Sequence, residues 1–173
     1  YELHLKLVSH VHDTLKTSNC TSYLFLDHID DHPKIDALKT QTEVELQQGE
    51  DLGEKMLNAL NWGLTKSDKA LIVGSDCPVI DPNVIQAALD ALDQNDMVFV
   101  PAEDGGYVLV GAKRINPNIF SDMPWGTDQV MEKTIKKLEQ DGSSFGLLDT
   151  LWDVDRPEDY DRLVAWDEKV RVL

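Results

Sequence analysis

Leu3, Leu7, Val11 and Leu15 recur every four residues with Val8 beside them, the spacing of an apolar stripe on a helix packed against a core. Thr21-Ser22-Tyr23-Leu24-Phe25-Leu26 is rich in strand formers and runs into the polar cluster Asp27 to Pro33, which predicts a strand entering a loop. Glu43-Val44-Glu45-Leu46 predicts a second short strand. Gln47 to Glu50 breaks the pattern, and Asp51 followed by Glu54 has the spacing of a capping box. The helix that follows carries Leu52, Met56, Leu60 and Leu64 on one face. Ala70-Leu71-Ile72-Val73 then stops abruptly at Gly74-Ser75-Asp76-Cys77-Pro78, which predicts a strand buried on both faces with the Asp76 carboxylate just past its C-terminal end. Asp81-Pro82 starts a helix with Ile85, Ala88, Leu89 and Leu92 inward. Met97–Val100 and Tyr107–Val110 read as two more strands. Thr127 predicts the start of a helix carrying Met131, Ile135 and Leu138, and Pro157 the start of the last, with Tyr160, Leu163 and Val164. Apolar strand runs alternating with amphipathic helices predict an α/β fold, a mostly parallel sheet with helices on both faces.

A chain of 173 residues suffices for one domain and not for two typical ones, so residues 1–173 are read as a single domain. Its formal charge of −16 repels phosphate-rich polymers, which excludes nucleic acid and anionic membrane surfaces as partners. A small phosphorylated substrate stays open, because a divalent cation held by carboxylates supplies the missing positive charge. The two cysteines, Cys20 and Cys77, form no zinc spacing and no disulfide framework, which fits a reducing compartment. With no run of roughly 20 apolar residues and no charged-then-apolar leader before the first helix, the expected location is the cytoplasm.

Several signatures are absent or out of place. Neither a GxxxxGK[ST] loop nor a GxGxxG fingerprint occurs. Gly142-Ser143-Ser144-Phe145-Gly146 matches GxSxG, but a helix precedes it and no histidine follows His32, so a Ser-Asp-His hydrolase is excluded. All five histidines fall in the first 32 positions, with His28 and His32 flanking Asp27, Asp30 and Asp31 in what reads as a solvated loop. Asp153-Val154-Asp155 lies ahead of Pro157. The DxD spacing also suits a haloacid-dehalogenase phosphatase, yet too little chain follows to build that fold. Two acids from distant segments are what a magnesium ion on phosphate oxygens takes, although Asp76 also suits a turn cap before Pro78. Glu103-Asp104-Gly105-Gly106-Tyr107 reads either as a tight hairpin or as a loop whose glycines admit a ligand to the backbone. Trp125 is either core or an exposed stacking face for a base or sugar.

Taken in order, Gln48-Gly49 with Asp51-Leu52-Gly53-Glu54-Lys55-Met56, Gly74-Ser75-Asp76-Cys77-Pro78, Glu103-Asp104-Gly105-Gly106-Tyr107, Trp125-Gly126-Thr127-Asp128-Gln129 and Asp153-Val154-Asp155 with Pro157-Glu158-Asp159 resemble one family. It is the bacterial glycosyltransferase-like family called selenodomain-associated transferase 1, within the nucleotide-diphospho-sugar transferase (GT-A) superfamily. The chain is similar, more distantly, to molybdenum-cofactor and phospholactate guanylyltransferases. The resemblance implies a Rossmann-like sheet, a nucleotide at its C-terminal edge, and Mg2+ or Mn2+ bridging the phosphates. It implies Asp76 and Asp155, with Asp153, as the catalytic metal acids, and Ser75, Asp104, Gly105, Gly106, Tyr107 and Trp125 as the substrate side. Nucleotidyl or glycosyl transfer from a nucleoside triphosphate or nucleotide-sugar to a small acceptor is the implied reaction.

Relatives begin with a strand and a basic, glycine-containing loop, whereas this chain opens at Tyr1 inside a helical pattern. The expectation is a domain without its first strand and phosphate loop, with an exposed sheet edge. The rival reading is a non-catalytic nucleotide- or sugar-binding module.

Overall fold

The apolar stripe at the start forms α1 (Glu2–Thr17), which buries Leu5, Leu7, Val8 and Val11. The computed structural model describes residues 2–28 and 32–171. After α1 come β1 (Tyr23–Leu26), α2 (Pro33–Lys39), β2 (Glu43–Leu46), α3 (Leu52–Leu64), β3 (Ala70–Val73), α4 (Pro82–Gln94), β4 (Met97–Pro101), β5 (Tyr107–Ala112), a 3-10 turn at Pro117–Phe120, α5 (Val130–Gln140), β6 (Phe145–Leu147) and α6 (Pro157–Arg171).

Local chemistry sets the boundaries. The Asp51 carboxylate accepts from the Glu54 amide at 2.9 Å while Glu54 reaches back to the Glu50 amide at 2.8 Å, a capping box shifted by one residue at its return bond. Asp81 accepts from the Asn83 and Val84 amides ahead of Pro82, so α4 starts where the sequence predicts. Thr127, by contrast, does not cap a helix. Its hydroxyl bonds the Pro124 carbonyl at 2.8 Å, and α5 begins three residues later at Val130. Within the segment read as a loop, His32 caps α2 by accepting from the Lys34 amide; Asp30 and Asp31 lie outside the described residues.

Four strands pair in the order β3-β5-β4-β6, and β1 pairs with β2 in a separate parallel ribbon. In the larger sheet β5 alone runs against its neighbours, so β3, β4 and β6 share one direction. The fold is therefore the mostly parallel α/β arrangement. Phe99, Met97 and Leu60 anchor one core on the α3 and α5 side, while Ile85, Leu92 and Val98 anchor the other on the α4 side.

The two sheets share their helical covers. On one side α1 lays Leu5 and Val8 against Leu24 and Leu26 of β1, and Val11 and Leu15 into the cluster holding Leu71 and Val73 of β3. On the other, Trp62 of α3 meets the Tyr23 and Phe25 rings edge-on at 4.6 and 5.4 Å, while Leu60 packs with Ala70 and Ile72. Among the described residues β1 pairs only with β2 and β3 only with β5, so each strand has one unpaired edge. This explains a departure from expectation: β3 is half-buried along its whole length, not fully buried, because it is an edge strand. Leu52 likewise faces solvent, 49% exposed, leaving Gly53, Met56 and Leu60 as the inward face of α3.

Candidate metal-holding site

β3 ends at Val73, Gly74 prolongs its pairing with β5 by donating its amide to the Val108 carbonyl at 2.8 Å, and the chain then turns at Ser75 and Asp76. The turn folds the next carboxylate back over it: a Cβ on Gly74 would stand 2.7 Å from Asp76 Oδ1. Ser75 is half-buried beside it. The C-terminal segment is laced to the same sheet edge by backbone. Leu151 donates to the Pro101 carbonyl at 2.9 Å, Glu103 to the Leu151 carbonyl at 3.0 Å, and Val154 to the Asp76 carbonyl at 3.0 Å. Pro157 then opens α6, and Asp159 accepts from the Asp155 and Arg156 amides at 3.1 and 2.8 Å, fixing the last residues before the helix.

These ties bring Asp76, Asp153 and Asp155 together. One ligand-capable oxygen from each lies within 4.8 Å of the other two. Burial raises the proton affinity of all three. For Asp76 the repulsion of Asp155 and Asp104 adds to it, and for Asp155 that of Asp104 and Asp159. Asp153 is pushed up to about 6, first by burial and then by Asp104, Asp155 and Asp76. Carboxylates converging where they raise one another's proton affinity form a hard oxygen donor set short of positive charge, and this donor set suits Mg2+ or Mn2+.

The linkage has a definite sign. A carboxyl whose folded pKa is raised binds protons better folded than unfolded, so it favours the fold below about 4 and that favour is lost as pH rises through about 6. Without metal, the melting temperature is expected to rise as pH falls from 7.5 to 5.5. The rise should be smaller in Asp153→Asn, and Mn2+ affinity should fall over the same interval; calorimetric melts and Mn2+ titrations at the two pH values check both.

The loop Glu103 to Gly106 is a hairpin joining β4 to β5, closed by Gly105 N–H to the Ala102 carbonyl and Ala102 N–H to the Gly106 carbonyl at 3.1 and 3.0 Å. Gly105 has φ of +92° and its carbonyl accepts the Met131 amide at 2.8 Å, which pins the hairpin to the start of α5. The Asp104 carboxylate accepts the Gly106 amide at 2.8 Å and stays exposed beside the acids. Tyr107 and Trp125 are placed differently. Their rings meet edge to face at 6.4 Å, Tyr107 packs on Phe99, and the Trp125 indole lies against Gly53. Both belong to the core on the α3 side, and the Tyr107 hydroxyl and Trp125 Nε1 are buried without a hydrogen-bond partner. Cys77, at the end of the β3 turn, is fully buried and its thiol is pushed up to about 11 by burial, so it is no nucleophile.

Arg162 escaped the sequence reading. Its guanidinium grips the Glu103 carboxylate at 2.6 and 2.9 Å and stacks 4.4 Å over the buried Trp152 ring. No local pattern signals this, since 59 positions separate Arg162 from Glu103.

Among the described residues no helix is long and apolar enough to cross a membrane. No curated protein matches the chain. In fold it is similar to a candidate nucleotide-diphospho-sugar transferase from Desulfovibrio desulfuricans G20, at 28% identity and a TM-score of 0.80 over 89% of this chain and 69% of that one. It is similar also to a CMP:2-keto-3-deoxy-manno-octonic acid synthetase solved with CTP, at 10% identity and a TM-score of 0.64 over 94% and 88% of the two chains. A third is the glucosyl-3-phosphoglycerate synthase of Mycobacterium tuberculosis solved with Mn2+, UDP and glucosyl-3-phosphoglycerate, at 12% identity and a TM-score of 0.58 over 91% and 70%. These neighbours carry the Rossmann-like GT-A fold predicted for the chain. The family described as "Uncharacterized protein conserved in bacteria (DUF2064)" matches residues 10–127. With two thirds of its length inside that match and its fold shared with nucleotide-diphospho-sugar transferases, the chain belongs to the DUF2064 family.

Proposed function

We propose that this protein is a metal-dependent transferase that takes a nucleoside triphosphate or nucleotide-sugar and transfers its nucleotidyl or glycosyl group to a small acceptor. The observation that carries this reading is the convergence of Asp76, Asp153 and Asp155 within 4.8 Å at the C-terminal end of β3, where open α/β sheets take their ligands. Asp76 and Asp155, with Asp153, would hold Mg2+ or Mn2+. A bound ion there supplies charge to orient a substrate's phosphates and to stabilise the charge that develops as one leaves. Ser75 and the hairpin residues Asp104, Gly105 and Gly106 flank the acids and form the acceptor side. Tyr107 and Trp125 support that side from below, as the packed floor of the hairpin and the loop before α5. The neighbours solved with CTP, or with Mn2+ and UDP, support the choice of ligand class.

Melting curves with a panel of nucleoside triphosphates and nucleotide-sugars, each with and without Mn2+, test the reading. The expected result is stabilisation by at least one nucleotide only when Mn2+ is present, growing with ligand concentration. Equal stabilisation with and without the ion would favour a binding module without metal chemistry. No response to any pair would sink the transferase.

A further inference from the structure

The helix that carries the end of the acidic site is poorly anchored. Among the described side chains of α6 none is buried, and Tyr160 and Val164 are 52% and 40% exposed. A helix without an apolar face in the core gains little from packing and opens easily. Among the described side chains its holds are few and specific. Past its middle the Trp166 ring meets His10 of α1 edge to face at 5.6 Å. At its near end Arg162 closes on two anchors at once: the Glu103 carboxylate, held bidentately, and the Trp152 ring, which is 8% exposed and directly precedes Asp153.

Each anchor is itself fixed. The Glu103 amide is bonded to the Leu151 carbonyl at 3.0 Å, and the segment from Trp152 is bonded to the Asp76 carbonyl through Val154 at 3.0 Å. Asp159, one turn before Arg162, holds the amides of Asp155 and Arg156. A fork-to-fork pair with a stacked guanidinium is stronger and more directional than an ordinary surface ion pair.

We propose that Arg162 is a positioning residue: by clamping Glu103 and Trp152 it holds the first turns of α6, and with them Asp155, in register with Asp76. This rests on the metal-holding reading of the three acids.

Simple electrostatics predicts the opposite sign, which makes the inference decisive to test. Removing a cation from the neighbourhood of a metal site should tighten metal binding by Coulomb's law alone. Loss of positioning should weaken it.

The test measures Mn2+ binding to the intact chain by electron paramagnetic resonance of the free ion, together with melting temperature and backbone hydrogen exchange. Arg162→Gln is expected to weaken Mn2+ binding about tenfold, the usual scale for losing a residue that orients metal ligands. Its metal-free melting temperature should stay within a few degrees of wild type, and amides across 157–166 should exchange faster. Arg162→Lys keeps the charge but loses the planar fork, and is expected to show most of the same loss. The double variant Arg162→Gln with Glu103→Gln should bind no worse than the weaker single variant, because both break one clamp.

Binding by Arg162→Gln as tight as wild type or tighter would overturn the proposal, as would weaker binding with unchanged exchange across 157–166. Asp76→Asn and Asp155→Asn separate the two levels. If these lose Mn2+ while Arg162→Gln does not, positioning alone falls; if they bind like wild type, the metal reading falls and positioning with it.

Discussion

Asp76→Asn is expected to abolish the Mn2+-dependent stabilisation by nucleotides, weakening Mn2+ binding by about 100-fold or more, while the metal-free protein melts at an unchanged or higher temperature. The two halves of this expectation have one cause. In the folded chain the Asp76 carboxylate is half-buried and faces Asp155 and Asp104, so burial and repulsion oppose its charge. Asparagine keeps the shape, removes the charge and relieves that opposition. The turn itself does not depend on the carboxylate for its link to the C-terminal segment, because the Val154 amide bonds the Asp76 backbone carbonyl. If the side chain served only to cap the turn before Pro78, the substitution would lower the metal-free melting temperature and leave metal response intact. Differential scanning calorimetry with and without Mn2+ distinguishes the two.

Gly105→Ala carries the largest expected cost to stability, about 3 kcal/mol or more, or ~10 °C in melting temperature. The position has φ of +92°, and a Cβ would drive into the Asp128 backbone, including its carbonyl oxygen. The hairpin has no room to yield. Gly105 is tied on one side to Ala102 and on the other to Met131 at the start of α5. Gly126→Ala is the matched control, since it also has positive φ, +76°, but its Cβ would meet nothing within 4 Å. It should cost only the backbone strain, about 1–2 kcal/mol. Thermal melts of the pair check the difference, and equal shifts would mean that the hairpin is not clamped as described.

The elements that were legible before the structure have strong local causes. Met97–Val100 and Tyr107–Val110 are continuous apolar runs, and both form strands of the sheet. Asp51 with Glu54, and Asp81 with Pro82, begin α3 and α4 because a carboxylate satisfies free amides at those positions whatever surrounds them. Short elements were missed. β6 has three residues and α2 seven, too few to show a period. Thr127 has the chemistry of a helix cap, but its hydroxyl bonds the Pro124 carbonyl three residues back, a competing local bond.

The candidate site divides in the same way. Asp76 was legible as an acid past the end of a strand, and the Glu103 to Gly106 stretch as a hairpin. That Asp155 reaches Asp76 follows from the return of the chain along β4 and the Leu151 ladder, which no spacing encodes. An aromatic near a glycine offers the same letters for a core residue and for a stacking face, and the Trp125 indole packs beside Gly53. Arg162 carries no local signal, since its partners come from two other segments of the chain.

The central claim is that Asp76, Asp153 and Asp155 form a divalent-metal site. Anomalous diffraction from crystals grown with Mn2+ tests it most directly. One strong peak is expected about 2.1 Å from carboxylate oxygens of Asp76 and Asp155, absent in Asp76→Asn crystals grown alike. A peak elsewhere, or none near these acids at saturating Mn2+, would contradict it.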